Sequence, residues 1–508
     1  MNNIKNVIIQ AGGKGTRLKT NTINKPKCLV PVKGKPLLQY SLERFKDCDI
    51  YIIGDYKYKV LKNYIDCFYT NYNITLIKAK GSKTCSGIGQ AAKLIKNTQP
   101  VCLIWSDLIL ETDITHDNKE LAQIYTSNEF NCRYKFENQI IKKEKTSIDG
   151  IIGLFTFKNK VILENVPNSG SFVGEWLSNE SNLELKKVSI SKVKEIGTVE
   201  ELNKNNKISI CRFFNSVKIL NEGENKFVYK RCKIKEYDIL LEKEKKWYLF
   251  AQNARFNQIP KIFSSEKYLK MSFIEGQHCH QKNNWTIQQK TNIIKNICNT
   301  LSHLHNLGVK KSCHVSLQKV YEEKTFSRIE KIKNLIPFFS QSEIIINNKI
   351  NKNPFHSKYK KQFIDKIRQI QCKSFHPIHG DCTFSNLLID SNHNVFLIDP
   401  RGTFGNSEIF GDTNYDWAKL FYSMIGNYDS INTKSFNLEI TKNSYNYKLK
   451  SSGFESFESL FFKLSQTNKN EIYLINSLIW FSLCGYVIED YDSILIAFLK
   501  GVEIWNKI

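Results

Sequence analysis

The stretch His379-Gly380-Asp381-Cys382-Thr383-Phe384-Ser385-Asn386, followed by the apolar run Val395-Phe396-Leu397-Ile398 and then Asp399, constrains this chain more than any other. It sets an Asp, an Asn five residues on, and a second Asp closing an apolar strand. A phosphoryl-transfer site needs that spacing: one carboxylate to take a hydroxyl proton, and an amide and a carboxylate to hold Mg²⁺. Far from it in the chain, Gln10-Ala11-Gly12-Gly13-Lys14-Gly15-Thr16-Arg17-Leu18 follows the apolar run 4–9. A glycine-rich turn after a strand lets backbone N–H groups approach a polyphosphate closely. Arg17 adds a guanidinium fork for phosphate oxygens. Two nucleotide signatures on one chain imply consecutive reactions.

With 508 residues the chain exceeds what one core organises, so two or three domains are expected. No basic-then-apolar leader opens the sequence and no run approaches the ~20 apolar residues of a membrane span, so a cytoplasmic chain without membrane insertion is expected. Its 14 cysteines form no C-x-x-C pair, the pattern of reduced thiols in a cytosolic enzyme. His278-Cys279-His280 reads as a loop, because two ligands so close rarely both reach one ion. The net charge of +25 invites a nucleic-acid partner, but Lys is spread along the whole chain with no Arg-rich arm or RNA-binding aromatic motif. No nucleic-acid partner is expected, since clefts for two nucleotides need positive charge of their own.

Apolar runs at 4–9, 50–53, 74–77 and 101–105 read as buried strands, with helices at 37–45, 59–68 and 89–96 between them. That alternation predicts an α/β fold, a doubly wound Rossmann-like sheet, mostly parallel and covered on both faces. Ligands then sit at the carboxyl ends of the strands, where the 12–17 loop and Asp107 fall. Further on, Thr198 and Glu201 read as the N-cap and N3 of a helix. Strand-like runs at 208–213, 217–220 and 226–232 and a helix at 237–251 begin a fresh unit, so the domains are 1–206 and 207–508. A helical region opens at 284–305, is interrupted by strands around 379–399, and a helical finish is expected over 412–508.

Beyond the glycine loop stand Lys25-Pro26-Lys27-Cys28-Leu29-Val30-Pro31-Val32 and Gly34-Lys35-Pro36-Leu37-Leu38. Together with the loop they resemble the nucleotidyltransferases that make sugar nucleotides and CDP-alcohols, including the phosphocholine cytidylyltransferases of bacterial surface-glycan pathways. The resemblance covers about the first 200 residues. It implies that Gly12, Gly13, Gly15 and Thr16 cradle a nucleoside triphosphate, that Arg17 neutralises the departing pyrophosphate, and that Lys27 offsets charge at the α-phosphorus. It further implies that Asp107 binds a metal and that Ser82, Thr84 and Gly87 contribute to the base- and ribose-reading loop. Glu195 stands where the family usually has a second metal carboxylate, often Asp. Glu175, in Phe172-Val173-Gly174-Glu175-Trp176, is a candidate to receive a cationic head group on the acceptor side.

In the second half, Phe227-Val228-Tyr229-Lys230 puts a lysine at the end of a strand and Glu244 falls on the next helix. Kinase-like folds hold ATP phosphates with such a pair. With Tyr268-Leu269-Lys270-Met271-Ser272-Phe273-Ile274-Glu275-Gly276 and the 379–399 stretch, this resembles the aminoglycoside phosphotransferase and choline kinase group over roughly residues 208–508, a bilobal α+β fold. The resemblance implies that Asp381 deprotonates the acceptor hydroxyl, Asn386 and Asp399 bind Mg²⁺, and Lys230, held by Glu244, contacts the α- and β-phosphates. His379 braces the loop, and no G-x-G-x-x-G precedes Lys230. Arg401 either contacts a phosphate or anionic substrate, or pairs with Asp412 or Asp416.

Joined, the halves imply a bifunctional enzyme. A kinase domain phosphorylates a small alcohol with ATP; the first domain then transfers a nucleotidyl group, CMP from CTP, to that phosphate and releases pyrophosphate. The product would be a CDP-alcohol of the choline or ethanolamine kind for decorating a capsule or other surface polysaccharide, with Mg²⁺ as cofactor and a homo-oligomer left open. Two rivals stand beside it: a sugar kinase joined to a sugar-1-phosphate nucleotidyltransferase, and a nucleotidyltransferase whose kinase-like half only senses nucleotide.

Overall fold

Strand β1 (Asn6–Gln10) runs between two parallel neighbours, β2 (Asp49–Gly54) and β4 (Val101–Trp105), and β3 (Ile74–Lys78) extends the sheet beyond β2. Ile8, Ile9, Ile52, Ile53 and Leu103 are fully buried, as expected of strands covered on both faces. Helices α1 (Leu37–Arg44), α2 (Tyr58–Phe68) and α3 (Ile88–Leu94) make the crossovers. The chain steps outward from β1 to β3, then returns to the other side of β1 for β4. That reversal opens a crevice at the carboxyl ends of β1 and β4, where the glycine loop and Asp107 lie.

This computed structural model describes residues 3–206, 215–263, 268–281 and 284–508. The chain divides into two units, Met1–Ser209 with Glu489–Tyr491, and Ile210–Ile488 with Asp492–Ile508. In the first, only half of the sheet is parallel. β7 (Gly150–Phe157) is antiparallel to β4 and to β6 (Ala122–Ser127), and β8 (Leu185–Ser189) is parallel to β6. Two short strands, β5 (Leu108–Leu110) and β9 (Val193–Glu195), pair antiparallel, which brings Asp107 and Glu195 side by side. Helix α4 (Val199–Asn206) then starts on a capping box: Thr198 Oγ1 accepts from the Glu201 N–H at 3.3 Å and Glu201 Oε2 accepts from the Thr198 N–H at 3.0 Å.

The second unit opens with an antiparallel sheet of β10 (Asn215–Glu222), β11 (Asn225–Cys232), β13 (Leu269–Ser272) and β12 (Ile262–Phe263). The strand expected at 208–213 lies outside the described residues. Helix α5 (Asp238–Asn253) follows β11, and α6 (Ile287–His305) begins at a capping box of Thr286 and Gln289. A hairpin of β14 (Leu387–Ile389) and β15 (Val395–Leu397) carries the 379–399 stretch, and α8 (Thr413–Met424), the next helix used below after α7 (Lys324–Ile332), backs it. The expected helical finish needs correction. Phe436–Ile440 and Ser444–Leu449 form a hairpin that joins Glu343–Ile346, because Ser444-Tyr445-Asn446-Tyr447 alternates polar and aromatic residues with the period of a strand. Among the described residues no helix is long and apolar enough to cross a membrane.

Candidate functional site

In the first unit, the turn that follows Pro26 points Lys27 at Asp107, and the Lys27 ammonium donates to Asp107 Oδ2. The other oxygen of Asp107, Oδ1, is buried and has no hydrogen-bond partner. Arg17 Nη2 lies 3.3 Å from Glu195 Oε1. Two carboxylates and two cations therefore meet at the crevice. Burial first, then the Asp107 charge, lift the Glu195 carboxyl above its usual range, against the pull of Lys27 and Arg17. Gly15 closes the loop over this cluster at φ 66°, where a Cβ would stand 3.0 Å from Lys27 Cβ. A Cβ on Gly13 would meet nothing within 4 Å, so that part of the loop faces open space. Gly12 packs beside Asp55, and Thr16 begins the short helical turn Thr16–Thr22.

The 81–89 loop is tied to β1 and to the turn Phe172–Leu177. Gln10 Nε2 donates to the carbonyls of Thr84 and Ser86, each at 3.0 Å. The Phe172 N–H donates to Thr84 Oγ1 at 2.7 Å, and Ser82 bridges to Ser169. Gly87 caps α3 at φ 83°, where a Cβ would stand 2.5 Å from Ile53 Cγ2, so its place is dictated by the turn. Glu175 pairs with Lys83 at 3.0 Å on the surface, and that hydrogen bond is the main cause holding its carboxyl below the usual range. The charge expected to meet a cationic head group is thus already balanced by Lys83.

In the second unit, Lys230 at the end of β11 is buried and donates to both oxygens of Glu244, at 2.8 and 2.7 Å, and to Asp399 Oδ1 at 2.9 Å. Burial opposes its charge, but the two carboxylates outweigh burial and raise the ammonium above its usual range. Asp399 adopts a left-handed φ of 55°, and its N–H donates to the Tyr248 hydroxyl at 3.0 Å. Asp381 pairs with Lys419 at 2.9 Å. Asn386 Nδ2 donates to the Asp381 carbonyl at 2.7 Å and to its Oδ2 at 3.2 Å, which orients the amide oxygen away from Asp381. His379 is fully buried, and burial pushes its imidazole below its usual range. With Nε2 at 2.9 Å from the Ile398 carbonyl, it ties the loop to the strand ahead of Asp399.

Lys419 and Tyr248 were not singled out in the sequence, and Asp416 was considered only as a partner for Arg401. The fully buried Asp416 accepts from the N–H groups of His379 and Gly380, both at 2.7 Å, and meets His305 Nε2 at 3.1 Å. Its signal was available: a carboxylate among Trp417, Ala418, Leu420 and Phe421 must find donors. Neither acidic partner considered for Arg401 is taken up. Asp412 accepts from the Tyr321 hydroxyl at 2.8 Å, Asp416 is engaged as above, and Arg401 Nη1 instead meets the Tyr415 hydroxyl at 3.3 Å.

Among the described residues no group of three or more His, Cys, Asp or Glu is arranged to hold a metal ion by itself. Each site offers a smaller oxygen set, Asp107 with Glu195 and Asp399 with the Asn386 amide. Mg²⁺ accepts such sets, since it commonly takes one or two carboxylates and completes its shell with phosphates and water. The orphaned Asp107 Oδ1 beside Glu195 fits that requirement in the first unit.

Residues 7–123 match the family model of the MobA-like NTP transferase domain, so the N-terminal part of this chain is a domain of that class. The bifunctional protein GlmU of Methanocaldococcus jannaschii is 34% identical over 111 residues, 21% of this chain and 26% of that protein. A GlmU of Methanococcus aeolicus is matched over 42% of its length, so the chain spans well under two thirds of these relatives. The CTP:phosphoglutamine cytidylyltransferase of Campylobacter jejuni is 41% identical over 64 residues, 12% of this chain and 25% of that protein. A D-glycero-alpha-D-manno-heptose 1-phosphate guanylyltransferase of the same species is 28% identical over 169 residues, 29% of this chain and 75% of that protein. Among solved structures, the CTP:phosphocholine cytidylyltransferase LicC of Streptococcus pneumoniae is similar at 22% identity and a TM-score of 0.34, over 40% of this chain and 99% of that one.

Proposed function

We propose that the first unit is a nucleotidyltransferase and the second an ATP-dependent phosphotransferase that supplies its substrate. The observation that supports the phosphotransferase half is the Lys230–Glu244–Asp399 cluster. It gathers three side chains from β11, α5 and the end of the 379–399 stretch in the arrangement that grips nucleotide phosphates. In the second unit the acceptor hydroxyl forms a bond to the γ-phosphorus, the β–γ bridge breaks to release ADP, and Asp381 takes the proton. Lys419 holds Asp381 in place for this step.

In the first unit an oxygen of the resulting phosphomonoester attacks the α-phosphorus of the triphosphate and pyrophosphate leaves. No protein nucleophile is needed. The N–H groups of the Gly12–Gly13 turn, Arg17 and Lys27 align the phosphates and neutralise developing charge. Asp107 and Glu195 in one unit, and Asn386 and Asp399 in the other, would hold Mg²⁺, which when bound supplies further charge neutralisation at the phosphates. The cytidylyltransferase relative supports CTP as the donor, and a CDP-alcohol for surface polysaccharide is the product this reading proposes. A sugar kinase with a sugar-1-phosphate nucleotidyltransferase is the second reading, favoured by the guanylyltransferase relative.

The test is ³¹P NMR of the full chain with ATP, CTP or GTP, Mg²⁺ and a panel of alcohols, amino alcohols and sugars. A phosphomonoester followed by pyrophosphate and a diphosphodiester is expected. Asp381→Asn should abolish the first signal, and Lys27→Ala only the second. ATP turnover that no acceptor stimulates would sink the phosphotransferase half.

A further inference from the structure

The catalytic loop of the second unit adjoins a concentration of positive charge of which the steps above use only Lys419. Lys324 and Arg328 stand one turn apart on α7, where like charges repel. Lys324 Nζ lies 3.4 Å from the Tyr415 hydroxyl, and Arg401 Nη1 reaches the same oxygen at 3.3 Å. Lys419, one turn beyond Tyr415 on α8, bonds Asp381 at 2.9 Å. Arg328 Nη1 bonds the Ser482 carbonyl at 2.7 Å. Among the described residues, no carboxylate reaches salt-bridge distance of Lys324, Arg328 or Arg401. Arg401 is anchored beside the loop: its N–H donates to the His379 carbonyl at 2.8 Å, and a Cβ on Gly380 would stand 2.9 Å from Arg401 Cβ.

The charges feel one another. Burial, with Arg401, Arg328 and Lys419 adding to it, brings the Lys324 ammonium down to about 8. Burial would raise the Tyr415 phenol, yet Lys324, Lys419 and Arg401 outweigh it and bring the phenol down to about 7. Half-buried cations that share only a phenol and no carboxylate cost stability, and an anion seated among them would lower that cost.

We propose that this cluster is the acceptor's anchor, so that the second unit phosphorylates a hydroxyl compound that itself bears a carboxylate or phosphate. Lys324, Arg328 and Arg401 hold the anion, and the hydroxyl lies at Asp381. The assignment rests on the phosphotransferase reading and replaces a choline-like acceptor, whose positive charge the cluster would repel. It uses elements other than β11 and α5, which carry Lys230 and Glu244.

Isothermal titration of the full chain with glycerate, glycerol 3-phosphate, glycerol and choline, each with and without a non-hydrolysable ATP analogue, tests it; ADP release is followed in parallel with ATP. Saturable binding of glycerate or glycerol 3-phosphate is expected, with none by glycerol or choline; which of the two binds separates carboxylate from phosphate. Lys324→Met and Arg328→Gln should weaken that binding by about tenfold or more, the effect of losing a charge-assisted hydrogen bond. The exposed Arg401→Gln should do the same without risk to folding. Binding of neither anion, binding of choline as tight as theirs, or variants that weaken only the ATP analogue would overturn the proposal. Anion binding without ADP release would leave the anion site standing and sink the phosphotransferase reading instead.

Discussion

On the proposed reading, Asp381→Asn removes the group that takes the acceptor proton while keeping the side chain's shape. Acceptor-dependent ADP release should fall by about 10²- to 10⁴-fold with little change in the KM for ATP, read in a coupled ADP assay. Lys230→Met acts on stability as well as on the proposed nucleotide binding, because it removes the buried ammonium that Glu244 and Asp399 share. Breaking a buried pair from one side costs about 3 to 5 kcal/mol, measurable by urea denaturation. Asp429 gives the chain a pH dependence. It is buried without a hydrogen bond of good geometry, and burial outweighs the Ser423 and Ser385 hydroxyls to lift its carboxyl to about 6. An acid whose folded value is raised binds its proton more tightly when folded, so stability is highest below the unfolded value near 4 and declines as pH rises to about 6. Asp429→Asn should flatten that decline and gain about 2 kcal/mol at pH 7, read from thermal melts across the window.

At the scale of elements, the pieces that local chemistry specifies were readable before any folding. The Thr198–Glu201 box forms with both of its hydrogen bonds, because a cap is decided within four residues. Thr198→Ala should cost the first unit about 1 kcal/mol of stability. It should also raise the KM for nucleotide, since the same turn sets Glu195 beside Arg17. Strands β1 to β4 were legible as short, largely apolar runs. The 436–449 hairpin was not, because a long helical reading on either side masked a short period-two alternation. Helix α8 shows the other kind of gap. Its register was plain, but nothing local says that Asp416 would receive two N–H groups from the 379–381 turn. Asp416→Ala leaves those donors buried and unpaired, and should destabilise the second unit by about 3 kcal/mol, read by urea denaturation.

At the scale of the whole molecule, the proposed reading gives each unit its own nucleotide site, and the two should respond to different ligands. Each nucleotide at a hundred times its Kd stabilises only the unit that binds it, by about 2.7 kcal/mol. Hydrogen exchange read by mass spectrometry should therefore show CTP slowing amides of the 12–17 and 81–89 loops. ATP should slow those of β11 and the 379–399 stretch. Protection of both sets by one nucleotide would contradict two separate sites.

Sequence alone determined the features that act over a few residues: the glycine turn after β1, the spacing of Asp381, Asn386 and Asp399, the cap of α4, and the apolar strands that build the first sheet. Each depends on backbone geometry and periodicity, which neighbours in the chain dictate. Tertiary structure decided which charges meet. Only the fold shows that Lys27 is spent on Asp107, that Glu175 is already balanced by Lys83, and that Arg401 passes over two acids for Tyr415. It also gathers Lys324 and Arg328 from α7 with Lys419 from α8 around one loop. Electrostatic energy falls off with distance in space and is blind to separation along the chain, so residues 95 positions apart, such as Lys324 and Lys419, become one site only when helices pack.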